Sequence, residues 1–427
     1  MAGNAFSKEE IVFFEDVLEG FSPNNITARQ VEKYQPPSTV FERSALTVHR
    51  PIPYVSVNKD GLTLVSADFA DMTQLSVPST LNANASAPSD IKNVPFTMNA
   101  VELNDERQRK NKAQSAIQTL SALADKLVAT KVAQEGTLFI KGTGAISTYG
   151  QLAACEEAMS IRDVPIMDPR TMIMNPIDYN TVAAALASTD KVQVGVGADA
   201  FQRSKIPMVA TFDSFKANFM PSIVLGGDGT GYTVNGAQSH VPAATDANGN
   251  NVDNRYMDLT VQTGTLAKVG DAFTIAGVNA LSMIHKNDTG VLQTFRIVAI
   301  NSATEWKISP AIVTNAGSPS QAEKEYANCS IAAPNGAAIV FLNTVTAPSN
   351  IFFQNKAVEI VHGSLATMDL DGAGVSTMRE TTDSGIEILF AKGADIKDLG
   401  TEYRLTMWMA ANILNPEMCG NILANQT

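Results

Sequence analysis

The feature that most limits what this chain can fold into is the stretch from Asp105 to Glu135, which contains neither glycine nor proline. Apolar side chains recur in it every three or four residues, which places them along one side of an α-helix. They are Ala113, Ala116, Ile117, Leu120, Leu123, Ala124, Leu127 and Val128, while polar residues such as Asp125 are expected to point away. The pattern predicts one amphipathic helix of roughly 45 Å, far longer than a usual globular helix.

Both ends of this helix carry termination signals. Asn104 is predicted as the N-cap, with Asp105 and Glu106 in the first turn, where the helix dipole favours negative charge. Gly136 is expected to close the helix in a left-handed conformation. We expect one face to pack on a sheet and the other to meet solvent or a neighbouring molecule.

Composition excludes several classes of protein. The chain has 427 residues with 44% hydrophobic content, enough for two or three modules with real cores. Its net charge of -12 argues against general nucleic-acid binding by phosphate neutralisation. The three cysteines (Cys155, Cys329 and Cys419) are widely spaced and make neither a disulfide framework nor a zinc cluster. Neither a signal peptide nor a membrane-spanning run is recognisable, so an intracellular protein is predicted.

The N-terminal hundred residues combine a short helix with extended chain. Ser7 and Glu10 form a capping-box pattern for a helix that is expected to end near Gly20 and to carry Glu15, Asp16 and Glu19 on its charged face. Residues 22–50 are irregular and indicate an arm lying on a larger surface. Residues 51–100 read as a long hairpin-like excursion with a turn at Lys59-Asp60-Gly61, and loops of that length usually serve function.

The middle of the chain predicts an α/β region interrupted by a β insertion. Strands are expected at Thr137–Lys141 and Thr171–Met174, and helices at Tyr149–Ile161 and from Pro176 through Ala187. From about Gly226, short strands follow one another at Tyr256–Gln262, Ala272–Ile275, Gln293–Ile300, Glu305–Ile308 and Ala338–Leu342. Such a run between two mixed segments indicates an inserted barrel or sandwich. Further strands are predicted at Ile386–Phe390 and Arg404–Ala410.

Motifs for nucleotide and calcium binding are incomplete. Gly195, Gly197 and Ala200 fit a dinucleotide fingerprint, but Pro207 interrupts the helix that the fingerprint requires. Asp246, Asn248 and Asn250 match the first ligands of a calcium loop, although the later glycine and glutamate positions hold Asn251 and Met257. A polar hairpin tip is the simpler interpretation of this loop, and no cofactor is predicted.

Catalytic signatures are similarly weak. The four histidines (His49, His240, His285 and His362) do not have the spacing of a helical metal site. The basic run of Arg107, Arg109, Lys110 and Lys112 fits a solvated helix face, or a contact with phosphate or an acidic neighbour. The alternatives left open are an α/β enzyme with an accessory β domain, using His240 or His285, and a carbohydrate-binding surface protein.

Several segments, taken in order, resemble the major capsid (coat) proteins of P-22-type short-tailed bacteriophages. They are MNPIDY (Met174–Tyr179), IPMVATFDSF (Ile206–Phe215), YTVNGAQS (Tyr232–Ser239), VDNRY (Val252–Tyr256), VGDAFTIAGV (Val269–Val278), EYAN (Glu325–Asn328), SNIFF (Ser349–Phe353) and YRLTMWMAANILNPE (Tyr403–Glu417). The resemblance covers nearly the whole chain. It implies an α+β, HK-97-like capsid fold with an inserted antiparallel β-barrel domain.

The resemblance also implies a division of labour along the chain. Residues 1–45 would be an N-terminal arm, 46–100 an extended loop over a neighbouring subunit, 101–226 and 347–427 the capsid core, and 227–346 the inserted barrel. Scaffolding protein would bind Glu15, Asp16 and Glu19. A hairpin with Asp246, Asn248 and Asn250 would bridge capsomers, and because Asn251 stands where a basic residue is expected, Arg255 would take that part.

The function so implied is that of a non-enzymatic shell subunit. It would form hexamers and pentamers, assemble with scaffolding protein into an icosahedral procapsid in the host cytoplasm, and mature to enclose double-stranded DNA. Portal protein and DNA would be indirect partners, no membrane would be involved, and T=7 geometry is the family expectation. Extended arms and a core without catalytic motifs fit this reading independently, since shell contacts must be individually weak and stable only in sum.

Overall fold

The computed structural model describes residues 6–36, 46–59, 61–65, 68–82, 89–188, 206, 208–224, 231–262, 266–365, 375–395 and 400–426. The chain divides into two compact units. The first comprises Met1–Val48, Ser79–Val128 and Glu359–Asn412, and the second comprises His49–Pro78, Ala129–Val358 and Ile413–Thr427.

The helices and strands follow in chain order. The helices are α1 (Lys8–Asn24), α2 (Ala100–Asn104), α3 (Glu106–Glu135), α4 (Tyr149–Ser160), α5 (Pro176–Ser188) and α6 (Gln321–Tyr326). The strands before the insertion are β1 (Glu32–Tyr34), β2 (Thr47–Pro51), β3 (Ser76–Thr80), β4 (Ile91–Asn99), β5 (Leu138–Lys141), β6 (Arg170–Met174), β7 (Met208–Val209), β8 (Phe212–Lys216) and β9 (Ser222–Ile223). Those of the insertion are β10 (Thr233–Val234), β11 (Met257–Gln262), β12 (Ala272–Leu281), β13 (Asp288–Ser302), β14 (Glu305–Ser309) and β15 (Ile339–Phe341). The last six are β16 (Ala347–Gln354), β17 (Val358–His362), β18 (Val375–Thr381), β19 (Glu387–Asp395), β20 (Gly400–Ile413) and β21 (Cys419–Leu423).

The long helix is present, but its beginning differs from the prediction. Asn104 is not an N-cap; it ends the separate short helix α2, which Asn99 caps by accepting the Glu102 backbone N–H at 2.8 Å. Asp105 is extended between α2 and α3, and its Oδ1 accepts the Arg107 N–H. A short acidic side chain that binds nearby backbone N–H groups favours such a break over continuous helix.

Gly136, at the end of α3, is needed for space rather than for a left-handed turn. Its φ lies outside the left-handed region, so the predicted C-cap conformation is wrong. A Cβ at this position would lie 2.7 Å from the Val132 carbonyl oxygen and 3.0 Å from the backbone of Cys419 and Gly420. Glycine is therefore required because strand β21 approaches the helix end so closely.

The first unit is built on a six-stranded sheet in the order β1-β17-β20-β19-β18, with β4 also paired to β20. Strand β4 runs antiparallel to β20 from Ile91 to Asn99, so the last part of the 51–100 stretch belongs to this sheet. Helix α1 buries Phe13, Phe14, Val17 and Phe21 in this unit. It continues through Pro23 to Asn24 instead of ending near Gly20. Glycine at position 20 leaves room for α3, since a Cβ there would lie 2.6 Å from Cδ1 of Ile117.

The second unit contains a seven-stranded sheet in the order β5-β21-β16-β6-β8-β7, with β9 paired to β16. Strands β6 and β8 are parallel, and α5 lies between them in the chain as the crossover. Side chains of α4 and α5, including Leu152, Cys155 and Val182, join one apolar core with the sheet. The α/β character predicted for the middle of the chain is thus confirmed.

The insertion in the second unit is a closed barrel of antiparallel strands. Its order is β10-β11-β14-β13-β12-β15, and a bridge between Thr233 and Ala338 joins the first strand to the last. Closure removes the free sheet edges. Its core is aromatic and fully buried around Phe273, Phe295 and Trp306. Strand β12 continues six residues beyond the predicted end at Ile275, because the chain passes a bulge at Gly277 (φ +83°) that interrupts the alternation.

Candidate interaction surfaces

The acidic residues of α1 do not all share one surface. Glu15 and Glu19 are exposed and lie one helical turn apart, so they form a small acidic stripe. Asp16 lies about 100° further around the helix. It is half-buried. The hydrogen bond and the charge of Glu106 raise the pKa of Lys110 on α3, and the charge of Asp16 adds a smaller effect in the same direction.

Helix α1 is fixed to the first unit by a buried ionic contact that the sequence did not reveal. Glu10, predicted only as a capping residue, is 3% exposed and accepts hydrogen bonds from Lys392 and the Tyr403 hydroxyl, both at 2.7 Å. Burial alone would raise the pKa of Glu10, but these donors and the Ser7 N–H hold it below the usual value. The predicted capping box is also formed.

Aromatic packing completes the docking of α1. The rings of Phe6, Phe13 and Phe14 lie 5.6 to 5.8 Å from the ring of Phe390 on β19, which also stacks on Tyr403 at 5.5 Å. Such pairs add about 0.5–1.5 kcal/mol each beyond their buried area. The helix therefore presents its acidic stripe from a rigid base.

Asp125 of α3 holds the chain that follows α1. It was expected to face outward, which is wrong: it is 2% exposed, and its two carboxylate oxygens accept the backbone N–H groups of Ile26 and Ala28, each at 2.8 Å. Burial raises the pKa of Asp125 to about 6, although the backbone donors act in the opposite direction. Sequence periodicity places Asp125 among the polar residues, and only the fold shows its partners.

The segment between β2 and β3 exposes apolar side chains. Leu62 is fully exposed and Phe69 is 73% exposed; the others are Tyr54, Val57, Leu64, Val65 and Met72. The segment keeps some local order, since Asp68 accepts the Val65 N–H and pairs with Lys59, each at 2.9 Å. A concentration of exposed apolar groups on one loop is typical of a surface that another molecule covers.

The tip of the hairpin at 245–251 is shaped by Asp246. Thr245 and Asn251 bridge the two sides, and the Asp246 carboxylate accepts the N–H groups of Asn248 and Asn250 at 2.8 Å. The hydrogen bond from the Asn250 side chain, followed by those from the backbone N–H groups, lowers the pKa of Asp246. The carboxylate is thus engaged by its own loop, as in a polar turn. Within the described ranges, groups of three or more metal-ligating residues are absent.

Arg255 is not available at the hairpin tip. Its side chain is 9% exposed, pairs with Asp253 at 2.8 Å, lies over the ring of Tyr256, and donates to the carbonyl oxygen of Ile413 at 2.5 Å. The guanidinium is therefore used inside the subunit, beside the β-barrel. This geometry argues against Arg255 as the basic partner of a bridge between capsomers.

The remaining candidate residues are dispersed. His240 bonds the Asn254 side chain at 3.0 Å, His285 pairs with Asp163 at 2.9 Å, and His362 is buried in β17, so each has separate surroundings. In the basic run, Lys110 pairs with Glu106 and Lys112 with Glu102, each at 2.7 Å, as on a solvated helix face. Gly195, Gly197 and Ala200 lie outside the described residues.

Comparison with known proteins identifies the family. Residues 1–424 match the family model described as "P22 coat protein - gene protein 5". A solved CUS-3 coat protein I-domain is 41% identical over 27% of this chain and 96% of its own, with a TM-score of 0.24. A chain from Mycobacterium phage Che8 is 9% identical over 93% of this chain and 90% of its own (TM-score 0.43). The mature capsid of bacteriophage PhiM1 is 9% identical over 94% and 87% (TM-score 0.44).

The described helices include none that is long and apolar enough to cross a membrane. The family match spans nearly the entire chain, and the mixed α+β architecture agrees with it. The chain therefore belongs to the P22 coat protein family: it is a major capsid protein with an HK-97-like fold, a non-enzymatic subunit that assembles with copies of itself into the icosahedral shell of a bacteriophage virion.

Proposed function

We propose that this subunit assembles in the host cytoplasm with a scaffolding protein into a procapsid that later encloses double-stranded DNA, with portal protein as a further, indirect partner. Three surfaces take different parts in this assembly. The extended loop within residues 46–100 reaches a neighbouring subunit, the 245–251 hairpin contacts a neighbouring capsomer, and α1 receives scaffolding protein. The other parts of the subunit are the N-terminal arm (residues 1–45), the capsid core (101–226 and 347–427) and the inserted barrel (227–346). The shell has T=7 geometry.

The loop supplies the observation that carries this proposal. Large apolar side chains such as Leu62 and Phe69 are exposed on a segment that contributes little to the subunit's own core. Burying one such side chain fully contributes about 1.5–3 kcal/mol. A few of them covered by a neighbour give a contact that is reversible for one subunit and stable when summed over a closed shell.

The acidic stripe on α1 supports the scaffolding contact. Glu15 and Glu19 project from a helix that Glu10 and the aromatic cluster fix in place. A basic segment of scaffolding protein would find two carboxylates at a defined spacing without having to order the helix first. Asp16 contributes less, because it is half-buried and faces Lys110.

The hairpin at 245–251 is proposed to make a weaker contact between capsomers. Asp246 keeps its charge because its pKa is lowered, and the tip is fully exposed. With Asn251 at the expected basic position and Arg255 engaged inside the subunit, the positive partner would have to come from the neighbouring molecule. Solvent screens an exposed pair of this kind, so the contact is weak.

The scaffolding contact is tested by changing Glu15, Asp16 and Glu19 together to alanine. We expect scaffold-directed shell formation to fall while the subunit stays folded, because these side chains are exposed or half-buried. A matched control changes Glu157, Glu380 and Asp383, which are also exposed acidic residues, to alanine. Normal yields from the first variant, measured by sedimentation and electron microscopy, would remove the assignment.

A further inference from the structure

The base of the extended loop is held by two consecutive residues of the inserted domain. The backbone N–H of Thr73 donates to Oε2 of Glu325 at 2.9 Å, and the hydroxyl of Tyr326 donates to the carbonyl oxygen of Thr73 at 2.9 Å. Both backbone polar groups of one loop residue, Thr73, are therefore bound by side chains from α6. We call these contacts the Thr73 clamp.

The Tyr326 hydroxyl reaches a second loop residue. The backbone N–H of Leu75 also bonds this oxygen, so one hydroxyl joins two places in the descending side of the loop. Burial raises the pKa of Tyr326, which keeps the hydroxyl protonated as the donor that Thr73 requires.

The clamp is mounted on a rigid support. Helix α6 begins with a complete capping box between Ser320 and Glu323. Glu325 is 0% exposed, and its second carboxylate oxygen accepts the side-chain amide of Gln321 at 2.9 Å. A buried carboxylate with both oxygens engaged has little freedom to move, so it fixes the position of Thr73.

A cavity of about 630 Å³ lies beside both the loop base and the clamp, and Leu75, Val77, Glu325 and Tyr326 line part of it. The loop base is also held by the Ile52 N–H, which donates to the carbonyl oxygen of Leu75 at 2.8 Å, and by the burial of Leu75 and Val77. Protein interiors are normally filled to crystal-like density, so residues that face a space this large have fewer packing contacts. The hydrogen bonds of the clamp therefore add a restraint where packing is incomplete.

We propose that Glu325 and Tyr326 are positioning residues through which the inserted barrel sets the direction of the extended loop before it meets a second copy of this chain. The proposal rests on the proposed role of the loop as an intersubunit arm. It gives the insertion a task inside its own subunit, in addition to any contact it makes across capsomers.

The direction of the loop can be measured in the soluble subunit. Cys155, Cys329 and Cys419 are buried, so cysteines introduced at exposed Leu62 and Asn248 would take spin labels selectively. Pulsed electron resonance should give a narrow distance distribution in the parent protein. The distribution should broaden in Glu325→Ala and in Tyr326→Phe, since losing one net hydrogen bond shifts such an equilibrium by about fivefold.

Two further variants separate positioning from a general loss of stability. Glu325→Gln keeps an oxygen that can accept the Thr73 N–H, so it should restore the narrow distribution. Glu157→Ala removes an exposed helical carboxylate elsewhere and should leave the distribution unchanged. A distribution in the Glu325→Ala, Tyr326→Phe double variant that matches the parent would overturn the clamp, provided that near-ultraviolet circular dichroism shows an intact barrel core.

Assembly then tests whether positioning matters. Shell yield should fall in the clamp variants that have a broadened distance distribution, and it should recover in Glu325→Gln. Normal shell yields from variants with a broadened distance distribution would overturn the positioning role. The role of the loop itself is tested separately by polar substitutions at its tip, so failure of the clamp and failure of the proposed function give different results.

Discussion

Two buried polar residues tie the N-terminal part of the first unit to segments far away in sequence. Asp125 binds the chain after α1, and Glu10 fixes α1 to β19 and β20. Each of them is 3% exposed or less, so removal of its partners would leave a buried polar group unsatisfied.

Replacing Asp125 by alanine should destabilise the first unit by about 2–4 kcal/mol, because the Ile26 and Ala28 N–H groups would lose their acceptor in a buried place. Amide hydrogen exchange at Ala28 and urea unfolding measure the effect. The neighbouring exposed residue provides a control, Lys126→Ala, which should change stability by less than about 0.5 kcal/mol. Equal protection of Ala28 in both variants would show that Asp125 does not hold the arm.

His362 should make the first unit sensitive to acid. Burial, with the nearby charge of Lys33, lowers the pKa of His362 to about 4 from an ordinary value near 6.5. The unfolded chain therefore takes up a proton at His362 first as the pH falls, so the contribution of His362 to stability is present above about pH 6.5 and is lost toward pH 4, by about 3 kcal/mol. Asp125, whose pKa is raised to about 6, contributes with the opposite sign over the same range. His362→Asn, which does not titrate, should therefore make the slope of stability against pH less steep in urea unfolding measured across that range. An unchanged slope would contradict the prediction.

Local residue roles could be predicted and distant ones could not. Ser7 and Glu10 are three residues apart, and their capping box is readable from the sequence. Asp125 and its two partners are separated by 97 and 99 residues, and no periodic pattern encodes a contact of that range. The same limit applies to the Thr73 clamp, which joins residues about 250 positions apart.

At the scale of elements, the insertion is the part of the chain with the most independent structure. The barrel closes on itself through Thr233 and Ala338, and its aromatic core contains Phe273, Phe295, Trp306 and Phe341. A closed sheet with its own core meets the usual conditions for autonomous folding.

A fragment of residues 225–348 should therefore fold alone and give a dispersed amide spectrum with cooperative thermal unfolding. Trp306→Ala in this fragment should cost about 3–5 kcal/mol, since a large, fully buried ring would leave a cavity. A narrow, disordered spectrum from the parent fragment would count against an independent barrel.

Element types followed from periodicity, whereas several element ends did not. The pattern of α3 and the strands of the insertion were predicted from apolar spacing. Gly277 interrupts the alternation inside β12, and Asp105 interrupts the helix, so both ends were misplaced. In each case one residue with special backbone behaviour overrides the pattern around it.

At the scale of the whole molecule, the subunit combines folded units with a loop on which several large apolar side chains are exposed to solvent. The net charge of -12 opposes close approach of subunits, so apolar contacts must outweigh this repulsion in the shell. The family was predicted from the resemblance of sequence segments. Only the structure shows which side chains of the loop are exposed and which residues bind the loop base.

Changing Leu62 and Phe69 to serine should leave the stability of the isolated subunit within about 0.5 kcal/mol per site, because both side chains are exposed. Shell formation should fall, since the contacts that these groups make with a neighbour would be lost. Leu62→Met with Phe69→Leu keeps the apolar character and should assemble. Equal shell yields from the two double variants, measured by sedimentation, would remove the loop from the assembly interface.

The most direct test of the central claim is sedimentation of the purified protein, followed by electron microscopy of any fast fraction, with and without the cognate scaffolding protein. A shell subunit should give closed particles when scaffolding protein is present. A small species that does not change with protein concentration under any of these conditions would contradict the account.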